Sequence, residues 1–168
     1  MMRLPEILVG KTFLLVDPDP VSALNMRGLL AQYGLNVTVV GTGLEARGLV
    51  RRNYFDLVLI DARLGRAEWT DTVNALRRNH VGGILPLVAL VDTGSWIAEG
   101  TTSLRGLDAV IDKPVHVPTL ITRLAGILDC ARSEIFRPFD MNRVLDNIFA
   151  VAKESAQISD RETIPSGD

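Results

Sequence analysis

The sequence has few cysteines and histidines and lacks a long apolar run, which argues against disulfide-rich, zinc-binding and membrane-spanning proteins. Its 168 residues include one cysteine, Cys130, so no disulfide can form within the chain, and only two histidines. Because His80 and His116 are far apart, they cannot belong to one zinc cluster. The longest apolar run, 85–91, contains a proline and is far shorter than the roughly 18 residues of a membrane span. We therefore expect a cytoplasmic protein with no membrane segment and no zinc site.

Neither sign of charge dominates the chain. It has 20 acidic side chains and 18 lysines and arginines, a net charge of −2 and a pI near 5.7. This balance gives no bulk attraction to nucleic acid or to an acidic membrane, so neither is expected as a partner. With 47% hydrophobic and 23% charged residues, the chain has enough apolar surface to build a packed domain.

Short β-branched apolar runs alternate along the chain with segments of helical period. The runs predict strands at Thr12–Val16, Asn36–Val40, Asp56–Ile60, Pro86–Val91 and Asp108–Ile111. The segments between them predict helices at Val21–Tyr33, Leu44–Asn53, Thr70–Asn79, Ser95–Arg105 and Val117–Asp129. This alternation is typical of α/β proteins, and it predicts a doubly wound, five-stranded parallel sheet with helices on both faces.

The pattern changes after the last of these helices. We predict one domain over residues 11–129, a linker and an amphipathic helix over 130–156, and a polar, disordered tail over 157–168. The additional C-terminal helix is predicted to start at Asp140, which is a suitable N-cap. Its apolar face either packs on the preceding domain or docks on a partner or a second copy of the chain, which leaves a homodimer open.

Charged residues follow three of the predicted strands. Asp17 and Asp19 come after the first strand, Asp61 after the third and Lys113 after the fifth. Ligands of open parallel sheets bind outside the carboxyl ends of the strands, so these side chains are expected to meet. Three carboxylates repel one another unless a cation or the lysine neutralises them, and hard oxygen ligands suit Mg²⁺.

Three motifs carry a resemblance to a known family. The segments LLVDPDP, DLVLIDARL and GLDAVIDKPV resemble, in order and spacing, those of CheY-like receiver domains of two-component response regulators. The resemblance covers about Lys11–Leu128 and implies a flavodoxin-like (βα)5 fold in which Asp61 accepts a phosphoryl group from a kinase histidine. It also implies that Asp17, Asp61 and the backbone carbonyl of Arg63 hold Mg²⁺, and that Lys113 contacts the acceptor and its phosphoryl oxygens.

The sequence departs from this family at three positions. Pro18 stands where a second acid is usual, which predicts a weakened Mg²⁺ site. Asp19 is expected to compensate as a metal ligand, because residues two apart in an extended segment project to one side. Val91 stands where the family usually has a Thr or Ser that contacts the phosphoryl group, and Val110 stands where it often has a Tyr or Phe that rotates inward on activation. We call these two the switch positions. Both are degenerate, because neither valine supplies the hydroxyl or the aromatic ring.

We therefore predict a receiver in a His-Asp phosphorelay that is not an enzyme. Its expected partners are a histidine kinase or phosphotransfer protein and a downstream protein, with no DNA-binding output. The alternative is a pseudo-receiver, an interaction module that signals without phosphorylation, which Pro18 and Val91 favour. Trp69 is predicted to lie in a charged loop after Asp61, where its indole either marks a partner surface or packs over the helix ends.

Overall fold

The computed structural model describes residues 5–78, 84–92 and 105–132. Its strands are β1 Thr12–Val16, β2 Asn36–Val40, β3 Leu57–Asp61, β4 Leu87–Val91 and β5 Ala109–Asp112. All neighbouring strands run parallel, and the order across the sheet is β2-β1-β3-β4-β5. The prediction of a five-stranded parallel sheet is confirmed.

Helices cover both faces of this sheet. They are α1 Pro20–Ala31, α2 Gly43–Val50, α3 Arg66–Arg78 and α4 Val117–Arg132. Buried side chains of α1 and α4 pack on one face, and those of α2 and α3 pack on the other, which confirms the doubly wound architecture. Across the described ranges, no helix is long and apolar enough to cross a membrane. The helix predicted from Asp140 lies outside the described residues, as does nearly all of the helix predicted for 95–105.

The central strands are buried on both faces because their side chains alternate between two cores. Phe13 and Leu15 of β1 face α1 and α4, whereas Leu14 and Val16 face α2 and α3. Every residue of β3 is buried, including the aspartate at its carboxyl end. A polar group at that end of the sheet is therefore held by a rigid scaffold.

Three strands begin one residue later than predicted. Strand β4 begins at Leu87 and not at Pro86, because proline has no N–H for the ladder. Before β3 and β5, an aspartate binds a neighbouring backbone. Asp56 accepts a hydrogen bond from the backbone N–H of Thr12 at 2.9 Å, and β3 begins at the next residue. Asp108 likewise accepts from the backbone N–H of Leu87 at 2.6 Å, and β5 begins after it. These carboxylates satisfy N–H groups at the amino ends of β1 and β4.

The prediction of a charged loop through Trp69 is wrong. A single 3-10 turn, Ala62–Leu64, follows β3, and Gly65 then adopts a φ of +86°, which a residue with a side chain rarely takes. Helix α3 therefore starts at Arg66, four residues earlier than expected. The indole of Trp69 is fully buried in the core between α3 and the sheet, so it packs and does not mark a partner surface.

Candidate functional site

The carboxyl ends of the strands bring together the predicted acidic residues and the lysine. Asp17 directly follows β1, Asp61 ends β3, and Lys113 directly follows β5. The two aspartates are 2% and 1% exposed. The ammonium group of Lys113 contacts Oδ2 of Asp61. The convergence predicted from the strand order is thus present in the structure.

A second cation, the guanidinium of Arg63, lies among the carboxylates. Its Nε donates to Oδ1 of Asp61 at 3.0 Å, and its Nη2 donates to Oδ2 of the same residue at 3.1 Å. Nη2 also donates to Oδ1 of Asp17 at 3.1 Å, and Nη1 donates to Oδ2 of Asp19 at 3.0 Å. One planar side chain therefore binds all three predicted acidic residues.

The turn after β3 explains how Arg63 reaches the pocket. The Oδ1 atom of Asp61 accepts the backbone N–H of Arg63 at 2.9 Å, which caps the 3-10 turn. This bond folds the chain back toward the strand end, so the arginine side chain starts next to the carboxylate. Its long stem then extends past Asp61, and the side chain keeps 47% of its surface exposed.

Asp19 has a structural task at the start of α1. Its Oδ1 accepts hydrogen bonds from the backbone N–H groups of Val21 at 2.9 Å and Ser22 at 3.2 Å, so it is the N-cap of this helix. Pro20 occupies the first helical position, where a missing N–H costs nothing. The backbone N–H of Asp19 donates to Oδ1 of Asp17 at 2.9 Å, which ties the two aspartates together.

The electrostatics of the pocket favour the ionised forms of Asp61 and Asp19. Burial acts to raise the pKa of Asp61, but hydrogen bonds from Arg63 and Lys113 outweigh it and hold that pKa below its usual value. The backbone N–H groups of Ser22 and Val21 lower the pKa of Asp19. Its hydrogen bond with Asp61 raises the pKa of Arg63, so the guanidinium stays charged.

The oxygen donors of this pocket suit a magnesium ion, but they are engaged by Arg63. Mg²⁺ is usually held by one or two carboxylates and several waters, and Asp17, Asp61 and the carbonyl of Arg63 are the predicted set. No group of three or more His, Cys, Asp or Glu side chains that could hold a metal is found within residues 5–78, 84–92 and 105–132. Asp19 is directed to the helix N-terminus and to Arg63, and its predicted role as a metal ligand stays a prediction.

The two switch positions lie on β4 and β5 and are apolar. Val91 ends β4 and is buried, and its carbonyl accepts the backbone N–H of Lys113 at 2.8 Å. Val110 lies in the middle of β5 and packs, partly buried, against the core that contains Val91. Neither side chain supplies the hydroxyl or the aromatic ring that the resemblance would lead one to expect.

A buried aspartate with a lysine partner at the carboxyl edge of a flavodoxin-like sheet is the arrangement expected of a response-regulator receiver domain. Comparison with known proteins agrees. The family model described as response regulator receiver domain matches residues 13–125. The transcriptional regulatory protein CpxR of Escherichia coli is 31% identical over 115 residues, which are 68% of this chain and 48% of CpxR. The polar-differentiation response regulator DivK of Brucella ovis is 25% identical over 118 residues, covering 70% of this chain and 96% of DivK.

Solved structures show the same fold. The receiver domain of a sensor histidine kinase from Pseudomonas aeruginosa, with a magnesium ion in its active-site cleft, has a TM-score of 0.61 and 25% identity, covering 70% of this chain and 99% of that one. A CheY-like receiver domain from Methylobacillus flagellatus has a TM-score of 0.60 and 23% identity, covering 70% and 98%. The chain belongs to the response regulator receiver domain family, and it spans about half the length of CpxR.

The side chain of Arg63 is the part of the site that sequence reasoning missed. Only its backbone carbonyl was expected to take part. A signal was present in the charges, since three carboxylates and one lysine leave two negative charges uncompensated at a buried strand end. An arginine two residues after the central carboxylate is the nearest side chain in sequence that could offset them.

Proposed function

We propose that this receiver accepts a phosphoryl group on Asp61, in a His-Asp relay fed by a histidine kinase or a phosphotransfer protein. The observation that carries the proposal is the contact of Lys113 with Oδ2 of Asp61, at the buried end of β3. A carboxylate held beside a fixed cation is arranged to carry additional negative charge. Family membership and the receiver folds of the solved relatives support the same activity.

The chemistry needs a nucleophilic oxygen and neutralisation of charge. One oxygen of Asp61 attacks the phosphorus of a phosphohistidine, a P–O bond forms, and the P–N bond breaks with its electron pair leaving on the imidazole nitrogen. Phosphoryl transfer has little other covalent chemistry for the protein to perform, so positioning and charge stabilisation dominate. Lys113, which contacts Oδ2 of Asp61, would supply a cation to the equatorial oxygens of the new acyl phosphate.

Magnesium is part of this proposal, because the receiver domain of the Pseudomonas aeruginosa kinase holds a magnesium ion in its active-site cleft. Asp17, Asp61 and the carbonyl of Arg63 would hold the ion, with Asp19 as the further candidate ligand. When bound, Mg²⁺ supplies positive charge to the phosphoryl oxygens. Pro18 provides no carboxylate where a second acid is usual, so we expect weaker binding than a pair of adjacent acids would give.

We propose that the signal leaves by protein–protein contact and not by an enzymatic activity of this domain. The phosphoryl group would favour one arrangement of the loops around the pocket, which is a population shift between two states. With Val91 and Val110 at the switch positions, coupling should be weak or follow another route. The domain limits at 11–129, 130–156 and 157–168, the absence of a DNA-binding output, the homodimer and the cytoplasmic location stay predictions.

One observation favours the pseudo-receiver as a second candidate. The guanidinium of Arg63 hydrogen-bonds both oxygens of Asp61, and Lys113 contacts one of them, so the carboxylate has its charge offset without any phosphoryl group or metal. A domain held in this state would present one fixed surface to its partner. The two candidates therefore differ in whether Arg63 leaves Asp61 when a phosphoryl donor is available.

Binding of beryllofluoride, a phosphoryl mimic, separates the two candidates. Wild type and Asp61→Asn are titrated with beryllofluoride in the presence of Mg²⁺, while amide resonances of residues 61–64 are followed by NMR. A receiver gives saturable shifts in wild type and none in the variant. Unshifted resonances in both proteins would instead assign the chain to the pseudo-receivers.

A further inference from the structure

The charges around Asp61 are nearly balanced without any bound ion. Three carboxylates, those of Asp17, Asp19 and Asp61, face two cations, Arg63 and Lys113. The guanidinium contributes bonds from Nε, Nη1 and Nη2, and each of the three carboxylates receives at least one of them. Arg63 thus performs the neutralisation that such a cluster would otherwise require from a metal ion.

The atoms that bind Arg63 are also the atoms that a metal ion would need. Oδ1 of Asp17 and both carboxylate oxygens of Asp61 accept guanidinium N–H groups at 3.0 to 3.1 Å. Mg²⁺ requires oxygen ligands at about 2.0–2.1 Å in near-octahedral geometry, with most remaining positions filled by water. An ion at that distance from these oxygens would overlap or closely oppose the positive guanidinium. The two cations therefore exclude each other.

The burial of the partners shows which of the two can move. Asp17 and Asp61 are fixed at strand ends and almost fully buried, whereas the Arg63 side chain is 47% exposed. The guanidinium can swing into solvent without unpacking the core, but the carboxylates cannot follow it. An exposed ion pair usually contributes little to stability, but here departure of one arginine would leave two buried carboxylates with Lys113 alone.

We propose that Arg63 is a tethered cation that competes with divalent metal for the carboxylates of Asp17 and Asp61. Arg63 thereby sets the metal affinity of the pocket, and metal binds only when the guanidinium swings out. The inference rests on the metal site of the proposed function but not on phosphoryl transfer. Removing the arginine should turn the pocket into a tighter divalent-cation site.

The test measures binding of Mn²⁺ alone, an ion that shares the preference of Mg²⁺ for oxygen ligands and is detected by water proton relaxation. The full chain is compared as wild type, R63A, R63Q and R51A, with Arg51 as an arginine on the surface at the end of α2. Loss of one positive charge beside a divalent ion should tighten binding about tenfold or more in R63A and R63Q. R51A should bind like wild type.

A second pair of measurements locates the ion and covers loss of stability. Adding D17N to R63A should abolish the gain in affinity. Mn²⁺ should raise the melting temperature of R63A or R63Q more than that of wild type at the same concentration, because ligand binding stabilises the folded state. The proposal is overturned if R63A and R63Q bind no tighter than wild type, if R51A gains as much, or if D17N leaves the gain intact. Each of these results leaves the phosphorylation of Asp61 to be judged separately, by labelling.

Discussion

Arg63 lies two residues after Asp61 and binds it three times, through its backbone N–H at 2.9 Å and through Nε and Nη2 at 3.0 and 3.1 Å. The backbone bond shapes the turn, and the side-chain bonds cover the carboxylate. The residue that positions the chain after β3 is therefore also the residue whose side chain covers the Asp61 carboxylate. Lys113 reaches the same carboxylate from β5, on the far side of β4.

Replacing Lys113 should weaken binding of a phosphoryl mimic more than it weakens the fold. Lys113→Ala removes the cation at Oδ2 of Asp61, and we expect a loss of at least about tenfold in beryllofluoride affinity, as when one charge-stabilising group is removed from a reaction site. Calorimetric titration measures the effect. Lys11→Ala is the matched control, because Lys11 pairs with Asp56 at 2.7 Å at the opposite end of the sheet. Equal affinities in the two variants would remove Lys113 from the site.

Substitutions of Asp19 should separate its role as the N-cap of α1 from its predicted role as a metal ligand. Asp19→Ala removes the N-cap of α1 and should lower the free energy of unfolding, whereas Asp19→Asn keeps a good capping side chain and should lower it less. Urea unfolding at neutral pH measures both. If Asp19 also serves as a metal ligand, Asp19→Asn should lower metal affinity. An unchanged affinity in Asp19→Asn would count against that role.

The interaction of Arg77 with Asp108, next to the start of β5, should make a large contribution to the free energy of unfolding. The guanidinium contacts Oδ2 of Asp108 at 2.5 Å and the carbonyls of Gly106 and Leu85 at 2.6 and 2.9 Å. Asp108 is 3% exposed, so Arg77→Ala leaves a buried charge unpaired and should cost about 3 kcal/mol at neutral pH. Arg78→Ala, a neighbouring exposed position, should stay within about 0.5 kcal/mol of wild type.

The cost of Arg77→Ala should grow as pH rises. Burial raises the pKa of Asp108 above its usual value, although Arg77 and the Leu87 N–H act to lower it. A carboxyl with a raised folded-state pKa binds its proton more tightly when folded, so stability falls as pH rises from the ordinary carboxyl pKa through the raised one. Without Arg77 the pKa rises further and this loss becomes larger. A pH-independent cost, measured by urea unfolding, would contradict this account of the pair.

Gly43 should tolerate no side chain, because α2 and α3 approach each other there. A Cβ added at Gly43 would lie 1.8 Å from Oγ1 of Thr72, so Gly43→Ala should cost about 2 kcal/mol through overpacking. The same change in a Thr72→Ala background should cost less, since the nearest remaining atom is 3.0 Å away. Gly48→Ala on the same helix meets nothing within 4 Å and should be neutral or slightly stabilising. Thermal melts of the four variants measure this coupling.

Hydrophobic pattern and strand order were enough to predict the sheet and the place of the site. The bounds of β1 and β2 match the prediction, because each is a β-branched or aliphatic run with clear polar limits. Strands β3, β4 and β5 each start one residue later than predicted. At β3 and β5, Asp56 and Asp108 bind distant backbone N–H groups, which no local pattern reveals. The early start of α3 depends on the positive φ of Gly65. The sequence pattern did not reveal this conformation, so the first turn of the helix was predicted to be a loop.

The residues of the pocket were largely predictable from the sequence, but the hydrogen bonds between them were not. Asp17, Asp61 and Lys113 follow from the rule that parallel strands meet at their carboxyl ends. The reach of the Arg63 side chain could not be predicted, because it depends on a turn that the Asp61 carboxylate itself caps. The same holds for Asp19, whose helix-capping bonds became visible only once α1 was placed.

The most direct test of the central claim is whether Asp61 becomes phosphorylated. Wild type, Asp61→Asn and Arg63→Ala are incubated with phosphoramidate, a donor with the same P–N bond as phosphohistidine, and Mg²⁺, and intact masses are recorded. We predict that wild type gains the mass of one phosphoryl group, located at Asp61 by peptide mapping, and that Asp61→Asn gains none. The claim is contradicted if Asp61→Asn is labelled as much as wild type. It is also contradicted if neither wild type nor Arg63→Ala is labelled.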